Sequence, residues 1–189
     1  MLLYLHGFRS SPQSQKVRSL RAYMAERGLA HLLWCEQLPA SPLQVIAMAE
    51  SAIAASTTPV TLVGSSLGGY YATWLAEKHN LKAVLINPAV AAPVSLAEFI
   101  GLQTNLHTGE VFEFLPEHIE ALRAMEVTRL SRPENFLLLV ETGDEVLDYR
   151  DAVAKYAGCA QVVLKGGDHS FAHFDEYRGA ILDFAGLRL

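Results

Sequence analysis

Thr61-Leu62-Val63-Gly64-Ser65-Ser66-Leu67-Gly68-Gly69 decides how the rest of this chain is read. An apolar run stops at a glycine. A serine stands two places on, two further glycines follow, and Tyr70 to His79 then takes a helical pattern. A G-x-S-x-G set between a strand and a helix is a nucleophile elbow, a turn so tight that side chains at its glycines would strike neighbouring backbone. The serine at its apex projects its hydroxyl above the sheet edge, and the helix behind it directs free N–H groups toward any developing oxyanion. The bland alternative is a glycine-rich turn in which Ser66 caps the helix. The segments on either side favour the elbow.

Working outward, short apolar runs alternate with helical patterns. Strands are expected at Leu2 to Leu5, Leu32 to Trp34, Val60 to Val63, Ala83 to Ile86, Phe136 to Val140 and Val162 to Leu164. Val17, Leu20 and Met24 have helical spacing, with Gly28 as a stop. Further helices are expected over Leu43 to Ala55, with Ser41 as N-cap, over Tyr149 to Tyr156, and over His173 to Phe184. Nearly continuous apolar strands separated by helices imply a mostly parallel sheet covered on both faces, a three-layer α/β/α sandwich within one domain, 1–189. Ligands bind such sheets at the carboxyl ends of the strands. From about Pro93 to Arg132 the alternation fails, and no core strand is expected there. The segment reads as a lid insertion that shields the serine and supplies an apolar acyl pocket.

Composition narrows the function classes. The chain has 189 residues, 51% hydrophobic and 19% charged, with a net charge of -5. No basic tract offers a surface for nucleic acid, and no apolar run reaches the ~18 residues of a membrane span. The start of the chain, Met1 to Gly7, does not read as a secretory signal. Cys35 and Cys159 have neither metal nor C-x-x-C spacing and read as reduced, largely buried thiols of a cytoplasmic protein. The oligomeric state is not encoded in any pattern here.

A serine hydroxyl needs a base, and the base needs an acid to fix its tautomer. Asp144 leads for the acid, because it follows the glycine at the end of the fifth strand; Glu141 is the runner-up. Asp148 fits an N-cap, and Glu145 a rim contact or solvent. Among seven histidines His169 leads for the base, on the loop after the last strand, with His173 as its rival. A metal pair of His169 and His173 lacks a third ligand in any recognisable pattern, so neither metal nor cofactor is expected. His6 ends the first strand and is expected to prop the oxyanion loop. The backbone amides of Leu67 and Phe8 are the expected oxyanion donors. Arg9 reads as a solvated loop arginine, the alternative being an anchor for an acidic group such as the phosphates of an acyl-CoA. At least one of Tyr70 and Tyr71 should pack in the core.

Taken together, His6-Gly7-Phe8, Ser10-Ser11-Pro12, Gly64 to Tyr70, Asn87-Pro88-Ala89, Thr142 to Tyr149 and Gly166 to Phe171 resemble the small bacterial YqiA-type esterases of the α/β-hydrolase superfamily. The resemblance runs nearly end to end. It implies a compact α/β-hydrolase that cleaves acyl esters or acyl thioesters, including acyl-CoA, with Ser66, Asp144 and His169 as nucleophile, acid and base. Where an asparagine commonly precedes the histidine, this chain has Asp168, a second carboxylate near the imidazole. The rival expectations are a binding protein that keeps the fold without turnover, and a C–C bond hydrolase or acyltransferase using the same three residues.

Overall fold

The computed structural model describes residues 1–187. Strand β1 (Leu2–Leu5) leads to α1 (Gln15–Ala25), β2 (Leu33–Trp34), α2 (Pro42–Ala55), β3 (Thr61–Ser65), α3 (Leu67–His79) and β4 (Lys82–Ile86). After α4 (Ala92–Ser95) come β5 (Gly101–Thr104), β6 (Val111–Phe114) and α5 (Pro116–Ala124). The chain then returns to the main sheet with β7 (Phe136–Glu141), α6 (Tyr149–Lys155), β8 (Ala160–Leu164) and α7 (Phe174–Phe184). The main sheet runs β2-β1-β3-β4-β7-β8, and every pairing in it is parallel.

Strand residues alternate between two cores, as the period of two requires. Leu3, Leu5, Leu62, Leu85, Leu138 and Val140 face α2, α3, α5 and α6. Leu2, Tyr4, Val63, Val84, Ile86 and Leu139 face α1 and α7. Both faces are covered, which is why the central strands carry no polar alternation. The strand order reverses between β1 and β3, so the loops after these two strands part and leave a crevice at their carboxyl ends. The residues at that crevice are His6-Gly7-Phe8 and Ser66.

Several element limits differ from the sequence reading. The helix after the elbow starts at Leu67, with Gly68 and Gly69 inside its first turn. Ser41 occupies the N-cap position of α2 but makes no side-chain cap bond. Between β4 and β7 no strand joins the main sheet; β5 and β6 form a separate antiparallel hairpin. Phe112 and Phe114 lie on its inner face, while Leu102 and Val111 are exposed on the outer one. Among the described residues no helix is long and apolar enough to cross a membrane.

Candidate active site

Ser66 sits at φ 54, ψ -121, between the last residue of β3 and the first of α3. A non-glycine residue there costs about 1–3 kcal/mol, so the surrounding structure must hold it. Its amide donates to the Ile86 carbonyl at 3.1 Å, and its own carbonyl accepts from the Ala89 amide at 3.0 Å. Gly68 allows α3 to press against the end of β1, since a Cβ on it would fall on the Leu5 carbonyl. Ser66 occupies the N-cap position of α3 yet makes no side-chain cap bond. Its hydroxyl instead meets His169 Nε2 at 3.1 Å.

The other side of the imidazole is fixed. His169 Nδ1 lies 3.0 and 2.9 Å from the two carboxylate oxygens of Asp144. A carboxylate only accepts, so Nδ1 carries the proton and the Nε2 lone pair faces the serine. The Asp144 side chain is 2% exposed and that of His169 23%. Burial pushes the Asp144 carboxyl up, but bonds from His169 and from the Leu147 and Val146 amides, at 2.8 and 2.9 Å, outweigh it and hold the carboxyl below its ordinary value. Glu145 stays on the rim and accepts the His169 amide at 3.0 Å. The exposed Asp168 carboxylate takes the Ser170 hydroxyl at 2.5 Å, not the imidazole of His169.

The loop after β1 lies against the serine: a Cβ on Gly7 would be 3.2 Å from the Ser66 Cβ. His6 props this loop. Its Nε2 accepts the Leu38 amide at 3.1 Å, so Nδ1 carries the proton and donates to the Gly7 carbonyl at 3.0 Å. Burial pushes the His6 imidazole down to about 4, which keeps it neutral in this role. The Phe8 and Leu67 amides have no backbone acceptor among the described residues. The Phe8 ring packs on Phe99, Phe112 and Phe114 of the insertion at 5.7, 5.8 and 5.0 Å between centroids. Arg9 departs from the solvated loop arginine expected of it. It is half-buried, and its Nε donates to the Thr104 carbonyl at 2.9 Å, while the Leu106 amide donates to the Arg9 carbonyl at 2.8 Å. The hairpin is thus stitched to the loop after β1. Tyr70 and Tyr71 are both buried, and Tyr70 Oη donates to the Leu122 carbonyl at 2.8 Å.

Two residues to which the sequence reading gives no such role hold the His169 loop. Glu141, fully buried, accepts the amides of Asp168, Ala172 and His173 at 2.8, 3.0 and 3.0 Å, and its Oε1 lies 2.7 Å from His173 Nδ1. The runner-up for the acid thus meets His173, the rival for the base, and not His169. Gly167 turns at φ +71, and a Cβ there would overlap the Glu141 carboxylate. Asn87 joins the same clamp: its Oδ1 accepts the Glu141 amide at 3.0 Å, and its Nδ2 donates to the Asp168 and His169 carbonyls at 3.0 and 3.2 Å. The signals were a carboxylate ending an apolar strand and an Asn-Pro ending another. Neither says which backbone groups it will meet.

Burial pushes the Glu141 carboxyl up, but the His173 amide, its imidazole and the Asp168 and Ala172 amides outweigh it and hold the carboxyl low. The Glu141 carboxylate raises the His173 imidazole. A lowered carboxyl stabilises the fold above its unfolded value, about 4.3, and loses that contribution as pH falls through the folded value. A raised imidazole stabilises below about 6.5 and loses its contribution as pH rises through the folded value. Glu141→Gln, which turns an amide NH2 toward N–H donors, is expected to cost about 2–4 kcal/mol. The gap to the parent protein should be widest between about pH 4.5 and 6.5 and should narrow in acid. Urea unfolding across pH checks this.

Solved structures place this architecture. Est1E from Butyrivibrio proteoclasticus superposes with a TM-score of 0.70 at 16% identity, over 97% of this chain and 85% of that one. Alpha/beta hydrolase domain-containing protein 10 from mouse gives 0.72 at 15% identity, over 98% and 89%. The monoacylglycerol lipase of Paleococcus ferrophilus gives 0.72 at 16% identity, over 99% and 94%. Identities this low speak for the fold alone, and the fold is that of the α/β-hydrolases. The model of the family described as uncharacterised protein family UPF0227 matches residues 1–186, so this chain belongs to that family, the esterase-like YqiA family whose motifs it resembles.

Proposed function

We propose that this protein is a serine hydrolase of carboxylic esters or acyl thioesters. The observation that carries the proposal is the unbroken line from the Asp144 carboxylate through the His169 imidazole to the Ser66 hydroxyl, with the hydroxyl at the apex of a strained turn. In this reading Ser66 Oγ attacks the acyl carbonyl while His169 Nε2 takes its proton. Asp144 holds the tautomer and stabilises the imidazolium that forms. The free amides of Leu67 and Phe8 receive the oxyanion, each such donor being worth ~3–4 kcal/mol in the transition state. His169 then returns the proton to the leaving group. Water, activated by the same imidazole, releases the acid.

The acyl recess is built chiefly by the loop after β2, α2 and α3; the insertion, expected to supply it, adds one apolar side chain, Phe112. Leu38, Val45, Met48, Leu67, Tyr71 and Phe112 line a recess beside Phe8 that suits an apolar acyl chain. Cys35 and Cys159 are free thiols, which fits a reducing cytoplasmic location, and burial raises them to about 12 and about 11. A p-nitrophenyl ester series of increasing acyl length, run beside acyl-CoA thioesters, tests the proposal. Turnover that depends on Ser66 and on acyl length is expected. No turnover of any ester or thioester would refute it.

A further inference from the structure

Two recesses at the site share His6, Gly7, Phe8, Arg9 and Ser10 as a common wall. The first, described above, gathers Leu38, Val45, Met48 and Phe112, with Gln37, Asn105 and Glu110 at its polar edge. The second contains Ser66 and His169 and adds Ser14, Gln15, Lys16 and Ser170, beside apolar Leu106, Phe171 and Phe174. Its two carboxylates are already engaged. Glu145 accepts the His169 amide, and Asp175 accepts the Ser19 hydroxyl and lies 3.6 Å from Arg178. Its two permanent cations are not matched by them. Among the described residues neither Lys16 nor Arg9 has a carboxylate at ion-pair distance, and each makes one side-chain bond, to a backbone carbonyl: Lys16 Nζ to Ser170 at 2.6 Å, Arg9 Nε to Thr104 at 2.9 Å. An ammonium has three donors and a guanidinium five, so most of their donors remain unspent. Burial pushes the Lys16 ammonium down against the longer-range pull of the Asp168, Glu141 and Asp144 carboxylates, none of them at ion-pair distance from it.

Lys16 also lines the cavity that holds Ser66 and His169. Its carbonyl acceptor belongs to the residue next to His169, the group that hands a proton to the leaving atom in the scheme above. We propose that Lys16, with Arg9, binds a carboxylate or phosphate carried on the leaving alcohol or thiol within a few bonds of the reacting atom, while the acyl chain occupies the apolar recess. This rests on the serine-hydrolase reading. The bond from the carbonyl carbon to Ser66 Oγ forms, the bond to the leaving oxygen or sulfur breaks, that atom takes the proton from His169 Nε2, and the anionic group keeps its charge throughout. The phosphates of an acyl-CoA lie at the far end of the pantetheine arm, so this assignment favours a compact leaving group over coenzyme A.

Two matched pairs of substrates test the assignment and separate the two anions: 4-nitrophenyl butyrate against 3-carboxy-4-nitrophenyl butyrate, and monobutyrin against its glycerol 3-phosphate counterpart. In the parent protein the anionic member of at least one pair is expected to have a kcat/KM about tenfold higher or more, the size of a charge-assisted contact. The pair that shows the preference names the anion. In Lys16→Gln that ratio should collapse toward one, chiefly through KM, and Lys16→Arg should restore part of it. The ratio is internal to each protein, so a loss of folded fraction does not imitate the effect. A parent protein that hydrolyses the neutral esters with no preference in either pair, or a preference that Lys16→Gln leaves in place, overturns this inference and spares the hydrolase reading. A parent protein that hydrolyses no ester and is not labelled at Ser66 overturns both.

Discussion

Ser66→Ala is expected to lower kcat for p-nitrophenyl ester hydrolysis by roughly 10⁴–10⁶-fold while leaving the fold in place. The size follows from the way the three residues act as a unit: without a nucleophile, the imidazole and its carboxylate have nothing to activate. The neutrality toward folding follows from the geometry. The Ser66 hydroxyl does not cap α3, and its one side-chain bond is to His169, at the edge of the cavity. The strained turn is maintained by main-chain bonds to Ile86 and Ala89, which alanine keeps. The stability change should therefore stay within about 1 kcal/mol, the worth of one hydrogen bond. Steady-state kinetics beside urea unfolding of the same preparation separates the two effects. Residual turnover of more than about 1% would assign the chemistry to another group.

The largest effect on stability is expected from Gly68→Ala. A methyl group there would overlap the Leu5 carbonyl and approach the His6 carbonyl, both main-chain atoms at the end of the fully buried β1. Neither can swing aside as a side chain would. Relief requires α3 to move off the sheet, which pulls Leu67, Tyr70 and Tyr71 out of the core they share with Leu3 and Leu5. Overpacking of this kind costs about 3 kcal/mol or more, against the usual 1–3 kcal/mol for a methylene in a side-chain core. With a urea slope of about 2 kcal/mol/M, the midpoint should fall by about 1.5 M or more. Gly28→Ala is the control. It has a positive φ of +69 but nothing within 4 Å, so its cost should be limited to backbone strain of about 1–2 kcal/mol.

Much of this was legible in the residues because it depends on local pattern. Apolar runs bounded by glycine and proline marked all six strands of the main sheet, and the G-x-S-x-G turn fixed how β3 meets α3. Asp144 and His169 stand out by their places after strand ends, and the fold brings His169 to Ser66 with Asp144 behind it. What escaped was whatever depends on meeting across the chain. Val111-Phe112-Glu113-Phe114 has the alternation of a strand, but its partner Gly101–Thr104 is too weakly patterned to announce a hairpin. Arg9 reads as a solvated loop residue until the hairpin carbonyl it reaches, from a residue 95 positions away, is in view. Glu141 is a strand-end carboxylate like many others. Its role comes from backbone amides on a loop after the next strand, a pairing that no local period encodes.

The central claim is that the hydroxyl of Ser66 is made nucleophilic by the imidazole that Asp144 orients. Labelling with a fluorophosphonate, followed by peptide mass analysis, addresses it most directly. The account predicts a single adduct, on Ser66, formed at least ~10³-fold more slowly when His169 is replaced by alanine. An adduct on any other residue, or a labelling rate indifferent to His169, would contradict it.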